Sequence, residues 1–267
     1  MSSYQAVARS MTGAYKFTAY KTIVTKEVRR FLRIWVQTLV PPVITIALYF
    51  VIFGNLIGSR IGNMGGYSYI EFIVPGLIMM SVVNNAYANV VSSFFSQKFQ
   101  KSIEELLVAP VPNHVILFGF VTGGVARGLC VGFIATLISL LFSGVHMSNV
   151  FITLFVILLS SVVFSLGGFI NAVFARNFDD ISIVPTFILT PLIYLGGVFY
   201  SVDALPAFAR TISHFNPIFY MINAFRYGVL GISDVGIGTS LGLLVTLTVV
   251  MFAFSLRLLH TGKGLRN

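Results

Sequence analysis

The chain has 267 residues, of which 57% are hydrophobic and only 9% are charged. A soluble domain carries about 25% charged residues, so this composition excludes an ordinary soluble protein. It predicts an all-α integral membrane protein whose natural solvent is the lipid bilayer. The single cysteine, Cys130, lies inside an apolar run, which excludes a disulfide framework and a cysteine-based metal site.

Residues 1–12 are predicted to form a loose tail, and residues 13–33 an amphipathic helix that lies on the membrane surface. The apolar stripe of this helix is Phe17, Tyr20, Val24, Val28 and Phe31, and its basic residues are Lys16, Lys21, Lys26, Arg29, Arg30 and Arg33. An apolar face beside a cationic face suits the headgroup layer, where anionic lipid attracts each charge. A soluble amphipathic helix that packs against a partner is the alternative.

Six apolar segments follow and are predicted to span the membrane, giving a transmembrane domain over residues 34–260 and a C-terminal tail over 261–267. The segments are about Ile34–Gly58, Phe72–Phe95, Val115–Phe142, Val150–Ala175, Ile183–Phe199 and Ser240–Leu259. About 20 residues are needed to cross the hydrocarbon core, and five of the segments reach that length easily. The fifth is shorter and contains Pro185 and Pro191, so we expect it to be kinked.

Lysine and arginine are unevenly distributed between the predicted loops. Thirteen of the 17 lie on the side of the two termini, whereas only Arg60, Arg210 and Arg226 lie on the other side. Cytoplasmic loops of membrane proteins are enriched in these residues, so both termini are predicted to be cytoplasmic. Topology therefore explains the net charge of +9, and no nucleic-acid partner is expected.

The most charged interior stretch covers residues 98–112, between the second and third apolar segments. Its apolar residues recur at helical spacing, and two prolines end the predicted helix. These residues are Phe99, Ile103, Leu106 and Leu107, followed by Pro110 and Pro112. A short amphipathic helix in water, tied at both ends to membrane spans, can receive a push from a soluble partner. It can equally be a solvated helix that only links two spans.

Arg127 and a series of glycines distinguish the third apolar segment. The glycines are Gly119 and Gly123, then Gly124, Gly128 and Gly132. Such spacing allows helices to approach closely in lipid, either within the chain or at a dimer seam. An arginine at mid-membrane costs about 2.5–3.5 kcal/mol on insertion scales, so it should have a partner or face a wet cavity. Arg127 is therefore either a residue of a translocation path or bonded to polar groups of a neighbouring helix.

Residues 201–227, between the fifth and sixth segments, are too polar to span a membrane and too apolar to lie free in water. Pro206 and Pro217 suit the first turns of helices, where the missing backbone N–H is not needed. Two short re-entrant helices that rest in the outer leaflet fit this composition best.

Two stretches of the sequence resemble motifs of the ABC-2 family of ABC transporter permeases. The run Glu104-Glu105-Leu106-Leu107-Val108-Ala109-Pro110 is similar to the E-x-L-L-x-x-P stretch of that family. Residues 191–206, followed by Asn216-Pro217-Ile218, Tyr220 and Arg226, resemble its signature after the fifth helix. The resemblance covers essentially the whole chain, including the leading surface helix and the six spans.

This resemblance implies a transport subunit of the bacterial inner membrane. Permeases of the family pair as dimers, bind two cytoplasmic ATPase subunits and usually export lipid-linked glycans, drugs or other amphipathic molecules. By resemblance, the leading helix and the loop around Glu104 would contact the ATPase, and the loop of Asp179 and Asp180 would form a second contact. The implied contact residues are Phe99, Ile103, Glu104, Glu105, Leu106, Asp179 and Asp180.

Motifs for independent chemistry are missing from the sequence. It contains no phosphate loop of the form G-x4-G-K-[S/T], so ATP and Mg²⁺ are expected to be bound by the partner subunit. The four histidines show no metal-ligand spacing, so neither a metal site nor a directly bound cofactor is expected. No carboxylate is predicted deep in a span, which disfavours a proton relay. A stand-alone secondary transporter or a membrane-embedded enzyme is the alternative function.

Overall fold

The computed structural model describes residues 12–144 and 147–265. Residues 1–11 of the tail predicted over 1–12, and residues 266–267 at the other end, lie outside the described residues. The helices are α1 (Gly13–Arg33), α2 (Trp35–Tyr49), α3 (Gly58–Ile61), α4 (Tyr69–Phe99), α5 (Ser102–Val108), α6 (Asn113–Phe142), α7 (Val150–Phe174), α8 (Asp180–Ile183), α9 (Thr190–Leu195), α10 (Ala207–His214), α11 (Pro217–Leu230) and α12 (Ile237–Thr261). A π-helical stretch, Phe50–Ile57, joins α2 to α3, and strands β1 (Asn63–Met64) and β2 (Tyr67–Ser68) form a small antiparallel hairpin.

Five of the described helices are long and apolar enough to cross a membrane, which confirms the all-α membrane class predicted from composition. They are Trp35–Gly54, Tyr69–Phe99, Asn113–Phe142, Val150–Phe174 and Ile237–Thr261. These helices correspond to all the predicted segments except the fifth. The fifth forms a shorter apolar helical run over Asp180–Leu195, so its crossing of the membrane stays a prediction.

Prolines widen the helical turns of this shorter run. Between α8 and α9 lies a π-helical stretch, Val184–Leu189. Pro191 has no backbone N–H with which to continue the regular α-helical ladder. The backbone amide of Thr190 bonds to the carbonyl of Pro185, five residues earlier, as in a π-helix. The fifth segment is therefore irregular in its hydrogen bonding, and the expected kink stays a prediction.

Helix α4 lies at the centre of the bundle, with 72% of its most apolar stretch buried. It packs along α6 and α7, and α1 lies along α6. The centre is marked by Phe94 of α4, whose ring lies 5.1 Å from that of Phe120 in α6 and 4.5 Å from that of Phe169 in α7. Helices α2 and α12 leave most of their surfaces exposed, as expected for elements that contact lipid or another chain.

Glycines of α6 allow three neighbouring helices to approach it closely. A Cβ atom on Gly119 would lie 2.5 Å from a side-chain atom of Ile23, and one on Gly123 would lie 2.5 Å from the Cβ of Glu27. The remaining glycines of the series, Gly124, Gly128 and Gly132, face α4 and α7. The close approach predicted from the glycine spacing thus occurs within the chain.

Helix α1 has the predicted limits, but its packed face differs from the predicted apolar stripe. The buried side chains are Ile23, Glu27 and Phe31, whereas Phe17 is 65% exposed. The physical reason is that α1 docks on the glycines of α6, which select the face that fits between helices. The most apolar face is therefore only partly used for packing within the chain.

The region after the fifth predicted segment contains two short helices, α10 and α11, as expected. Pro206 immediately precedes α10, and Pro217 is the first residue of α11. The Asn216 side chain caps α11 by accepting the backbone amide of Ile218, and its Nδ2 donates to the carbonyl of Leu192. This second bond ties the start of α11 to α9.

Candidate functional site

The charged stretch between α4 and α6 folds as two helical pieces instead of the single helix expected from its spacing. Helix α4 continues to Phe99, and α5 begins at Ser102. Between them, the amide of Lys101 closes a turn on the carbonyl of Lys98, and Lys101 adopts a left-handed conformation with φ of 58°. Phe99 therefore belongs to the end of α4, whereas the acidic residues belong to α5.

The Lys98 ammonium group fixes the end of α4 to the end of α7. Its Nζ donates to the carbonyl oxygens of Val173 and Ala175, at 2.5 and 2.8 Å. Carbonyls at a helix C-terminus lack intrahelical partners and favour a nearby cation. The loop that follows α7 is thereby held beside the end of α4.

Phe178 brings the two predicted contact loops together. Its ring packs edge-on against Phe95 and Phe99, with a centroid distance of 5.0 Å in each case. The Asp180 carboxylate accepts the backbone amide of Arg176 at 2.8 Å, which closes the turn that presents Phe178. Phe178 was not among the residues singled out from the sequence. The available signal was a phenylalanine in a short charged loop, which says nothing about its neighbours in space.

An exposed surface results at this end of the bundle. Phe99 is 59% exposed and Phe178 is 50% exposed, and Glu104, Glu105 and Asp179 are exposed as well. We call these five residues the loop surface. Two exposed aromatic rings and three exposed carboxylates on the adjoining loops would suit a partner that offers apolar and basic groups.

The other predicted contact residues point inward or shape the loops. Ile103 is buried against the bundle, and Leu106 is half-buried beside the same core. Asp180 is partly exposed and uses its carboxylate on backbone amides. Ile103 and Leu106 therefore anchor α5 to the rest of the chain.

A second cluster, which was not predicted from the sequence, lies where α1 meets α4 and α6. Glu27 is fully buried there, and its Oε1 accepts a 2.6 Å hydrogen bond from the Ser93 hydroxyl. Its Oε2 lies 3.5 Å from Nε of Arg30. Burial raises the pKa of Glu27 above its usual value, and the Arg30 charge and the Ser93 bond oppose this. The sequence did contain a signal for the burial of Glu27, because this residue lies four residues from both Ile23 and Phe31 and so shares a helix face with two apolar side chains.

Two arginines bond to the same polar face of α4. Arg30 Nη2 donates to the carbonyl oxygen and to Oδ1 of Asn89, both at 2.8 Å. Arg127 donates from Nε and Nη2 to Oδ1 of Asn85, at 3.2 and 2.9 Å. Asn85 and Asn89 are one helical turn apart. We call Glu27, Arg30, Asn85, Asn89, Ser93 and Arg127 the polar junction.

The hydrogen bonds of Arg127 agree with the interpretation that it contacts polar groups of a neighbouring helix. Its side chain is nevertheless only half-buried. Within the described part of the chain, no carboxylate pairs with it. A position on a translocation path therefore stays a prediction.

Arg226, counted from the sequence as a loop charge, lies in the interior of the protein. It is 1% exposed, and its Nη2 donates to the carbonyl of Gly197. The guanidinium also lies 4.1 Å from the centroid of the Phe72 ring. Gly197 has a φ of 79°, a left-handed conformation that favours glycine. Arg226 thus holds the turn after α9 against α4.

Residues that could hold a metal do not converge in the described part of the chain. No group of three or more His, Cys, Asp or Glu side chains comes together there. The expectation that this chain binds no metal and no cofactor directly stays a prediction.

Comparison with known proteins agrees with this architecture. The ABC-2 type transporter family matches residues 18–230 of the chain. "Inner membrane transport permease YadH" of Escherichia coli (strain K12) is 61% identical over 251 residues, which cover 94% of this chain and 98% of YadH. "Nodulation protein J" of Rhizobium leguminosarum bv. viciae is 25% identical over 208 residues, which cover 78% of this chain and 80% of that protein.

The apolar helical bundle and these matches define a multi-pass membrane transport permease. The chain belongs to the ABC-2 type transporter family. This is the family that the sequence motifs resemble.

Proposed function

We propose that this chain is the permease subunit of an ATP-driven exporter in the bacterial inner membrane. Two copies form the translocation path, and a separate cytoplasmic ATPase binds and hydrolyses ATP with Mg²⁺. Family membership supports this proposal, as does the 61% identity to a protein named as an inner membrane transport permease. The sequence also contains no phosphate loop, which agrees with ATP binding by a separate subunit.

The proposed topology has both termini in the cytoplasm and six spans, with Asp180–Leu195 in the fifth. Residues 1–33 then form the cytoplasmic tail and interfacial helix, residues 34–260 the transmembrane domain, and residues 261–267 a cytoplasmic tail. The excess of Lys and Arg on the side of the termini supports this orientation. It places the loop surface in the cytoplasm, and α10 and α11 in the outer leaflet as re-entrant helices.

The loop surface is the proposed contact with the ATPase. The observation that carries this assignment is the packing of Phe178 on Phe99, which brings the loop after α7 and the end of α4 together as one exposed aromatic surface. A displacement of this surface by the ATPase would move α4, because Phe99 belongs to that helix. It would also move α7, because Lys98 of α4 is hydrogen-bonded to the end of α7. Ile103 holds α5 on the bundle, so α5 moves with the spans.

The test is a mild-detergent pull-down of the tagged chain from its own cells, with a search for a soluble protein that carries a phosphate loop. Charge reversal at Glu104→Lys with Glu105→Lys is expected to reduce the co-purified ATPase about tenfold, because a complementary surface becomes repulsive. Arg257→Glu, an exposed reversal on α12, is the matched control and should retain the ATPase.

Each outcome of the pull-down separates one part of the proposal from another. An ATPase that stays bound to the double variant places the contact elsewhere but leaves the class intact. If the wild-type chain brings down no ATPase under conditions that preserve similar complexes, the exporter proposal fails, and transport by the purified chain alone becomes the assay to run.

A further inference from the structure

The length of α4 and its proposed orientation together suggest the depth of the polar junction in the bilayer. Helix α4 has 31 residues, so it is about 46 Å long, whereas the hydrocarbon core is about 30 Å thick. Asn89 lies ten residues before the last residue of α4, Phe99, which corresponds to about 15 Å. If the excess length of about 16 Å projects into the cytoplasm, Asn89 lies near the inner boundary of the core. Asn85, which Arg127 contacts, then lies about 6 Å deeper, closer to the cytoplasm than the mid-membrane position expected for Arg127 from the sequence.

Arg30 and Arg127 carry more N–H donors than the surrounding protein acceptors satisfy. Their acceptors are two oxygens of Asn89, the Ser92 hydroxyl at 3.4 Å and Oδ1 of Asn85. A guanidinium has several further N–H groups, and Nδ2 of Asn89 is also buried without an acceptor. The Arg30 side chain is 30% exposed and Arg127 is half-buried, so both remain accessible from outside the protein.

The charges of the polar junction do not balance. Glu27 lies beside Arg30 and also accepts the bond from Ser93. Arg127 has only the neutral amide of Asn85 as its partner among the described residues. An unpaired arginine at this depth is unfavourable, and an anion that bonds to it removes the imbalance.

We propose that Arg30 and Arg127 bind the phosphate-type anionic group of an amphipathic molecule at the inner boundary of the bilayer. Guanidinium groups match phosphate oxygens in a bidentate manner. Arg30 and Arg127 bond to amides that lie one helical turn apart on α4, which places both guanidinium groups beside the same stretch of that helix. The molecule is either a phospholipid of the inner leaflet or an anionic transported substrate. The inference rests on the proposed orientation of α4, and it does not depend on where the ATPase binds.

The chain contains its own reporter for this site. Trp35 is the only tryptophan, lies five residues after Arg30 and is 55% exposed. The full chain is reconstituted in phosphatidylcholine vesicles that contain either brominated phosphatidylglycerol or, in a matched set, brominated phosphatidylcholine. Bromine quenches tryptophan fluorescence at short range. We expect preferential quenching by the brominated anionic lipid, corresponding to about fivefold tighter binding for each arginine that contributes.

Variants distinguish a built site from general attraction to the basic helix α1. Arg30→Gln and Arg127→Gln should each remove most of the preference, whereas Arg33→Gln, an exposed position on the same helix, should keep it. Arg127→Lys keeps the positive charge and should retain part of the preference for the anionic lipid. This result would show that the loss in Arg127→Gln comes from the missing charge and not from misfolding. Equal quenching by the two lipids, or an equal loss in all three glutamine variants, overturns the proposal.

Native mass spectrometry of the chain purified from its own membranes then identifies the source of the anion. A retained phospholipid that is lost in Arg127→Gln assigns the site to the inner leaflet. A retained anionic amphiphile of another class, lost in the same variant, assigns it to the transported substrate. Either result is independent of the ATPase pull-down, so failure of one proposal does not imply failure of the other.

Discussion

The ring of Phe178 meets the ring of Phe99 edge-on at a centroid distance of 5.0 Å. Phe178 lies in the loop that follows α7, whereas Phe99 is the last residue of α4. Because both rings are also half-exposed, they form a single surface and not two separate contacts. A partner that covers the exposed face of one ring therefore lies next to the other as well.

Replacement of Phe178 tests this joint surface. Phe178→Ala removes an aromatic side chain from the proposed interface, where such residues often contribute about 2 kcal/mol or more to binding. We expect the co-purified ATPase to fall at least tenfold, while the chain itself keeps its elution profile in size-exclusion chromatography.

The matched control for Phe178→Ala is Phe151→Ala. Phe151 is 87% exposed but lies at the opposite end of α7, so its loss should leave the ATPase bound. Equal recovery of ATPase with both alanine variants would remove Phe178 from the interface.

The docking of α1 on α6 depends on the absence of a side chain at Gly123. Gly123→Ala places a Cβ 2.5 Å from the Cβ of Glu27, a backbone-proximal atom that cannot move without shifting α1. We expect a loss of about 1–3 kcal/mol in stability, measured by thermal unfolding in detergent. Gly167→Ala in α7 meets no heavy atom closer than 3.6 Å and is the control. Equal melting temperatures of the two variants would show that α1 is not seated on this glycine.

The sequence predicted the elements of this fold better than their mutual arrangement. Apolar runs indicate where the long apolar helices form, so these were found from the sequence. Prolines are a weaker guide, because Pro185 lies in a π-helical stretch whereas Pro41 and Pro42 lie inside a regular α-helix and the π-helical stretch Phe50–Ile57 has no proline. The packed face of α1 was not predicted correctly. Hydrophobic spacing favoured the face of Phe17 and Val24, whereas the side chains that pack on the glycines of α6 are Ile23 and Glu27. The hydrophobic spacing of one helix contains no information about its steric fit to a neighbouring helix.

Charged residues show the same limit for the candidate site. The acidic pair Glu104 and Glu105 was found because it is exposed and local in sequence. Arg226 was counted as a loop charge because its partners, Gly197 and Phe72, are distant in sequence. The left-handed turn at Lys101 lies beside the attachment of Lys98 to α7, and neither the turn nor this tertiary contact is contained in local propensity.

Protonation of Glu27 is expected to strengthen the fold. Burial raises its pKa in the folded chain above the ordinary value of 4.5, so the folded chain holds this proton to a higher pH than the unfolded chain does. The contribution is fully present below about pH 4.5 and is lost as the pH rises through the raised pKa. Thermal unfolding from about pH 4 to pH 8 should therefore show a smaller decline in Glu27→Gln than in the wild type.

A control variant and one contradicting outcome test this explanation of the pH dependence. Glu104→Gln changes an exposed carboxylate and should follow the wild-type curve. A Glu27→Gln curve parallel to the wild type over the whole range would mean that Glu27 keeps the same pKa in both states, and the burial argument would fail.

Replacement of Arg226 by lysine is expected to destabilise the fold. Lysine has the same charge, but it lacks the planar guanidinium that both contacts the Phe72 ring and donates to Gly197. We expect Arg226→Lys to lower the free energy of unfolding by about 1–3 kcal/mol, because a buried carbonyl loses its donor and a desolvated cation–π contact weakens. Thermal unfolding in detergent measures this loss, with Arg60→Lys as an exposed control. If both lysine variants melt at the wild-type temperature, the guanidinium geometry at Arg226 does not stabilise the turn after α9.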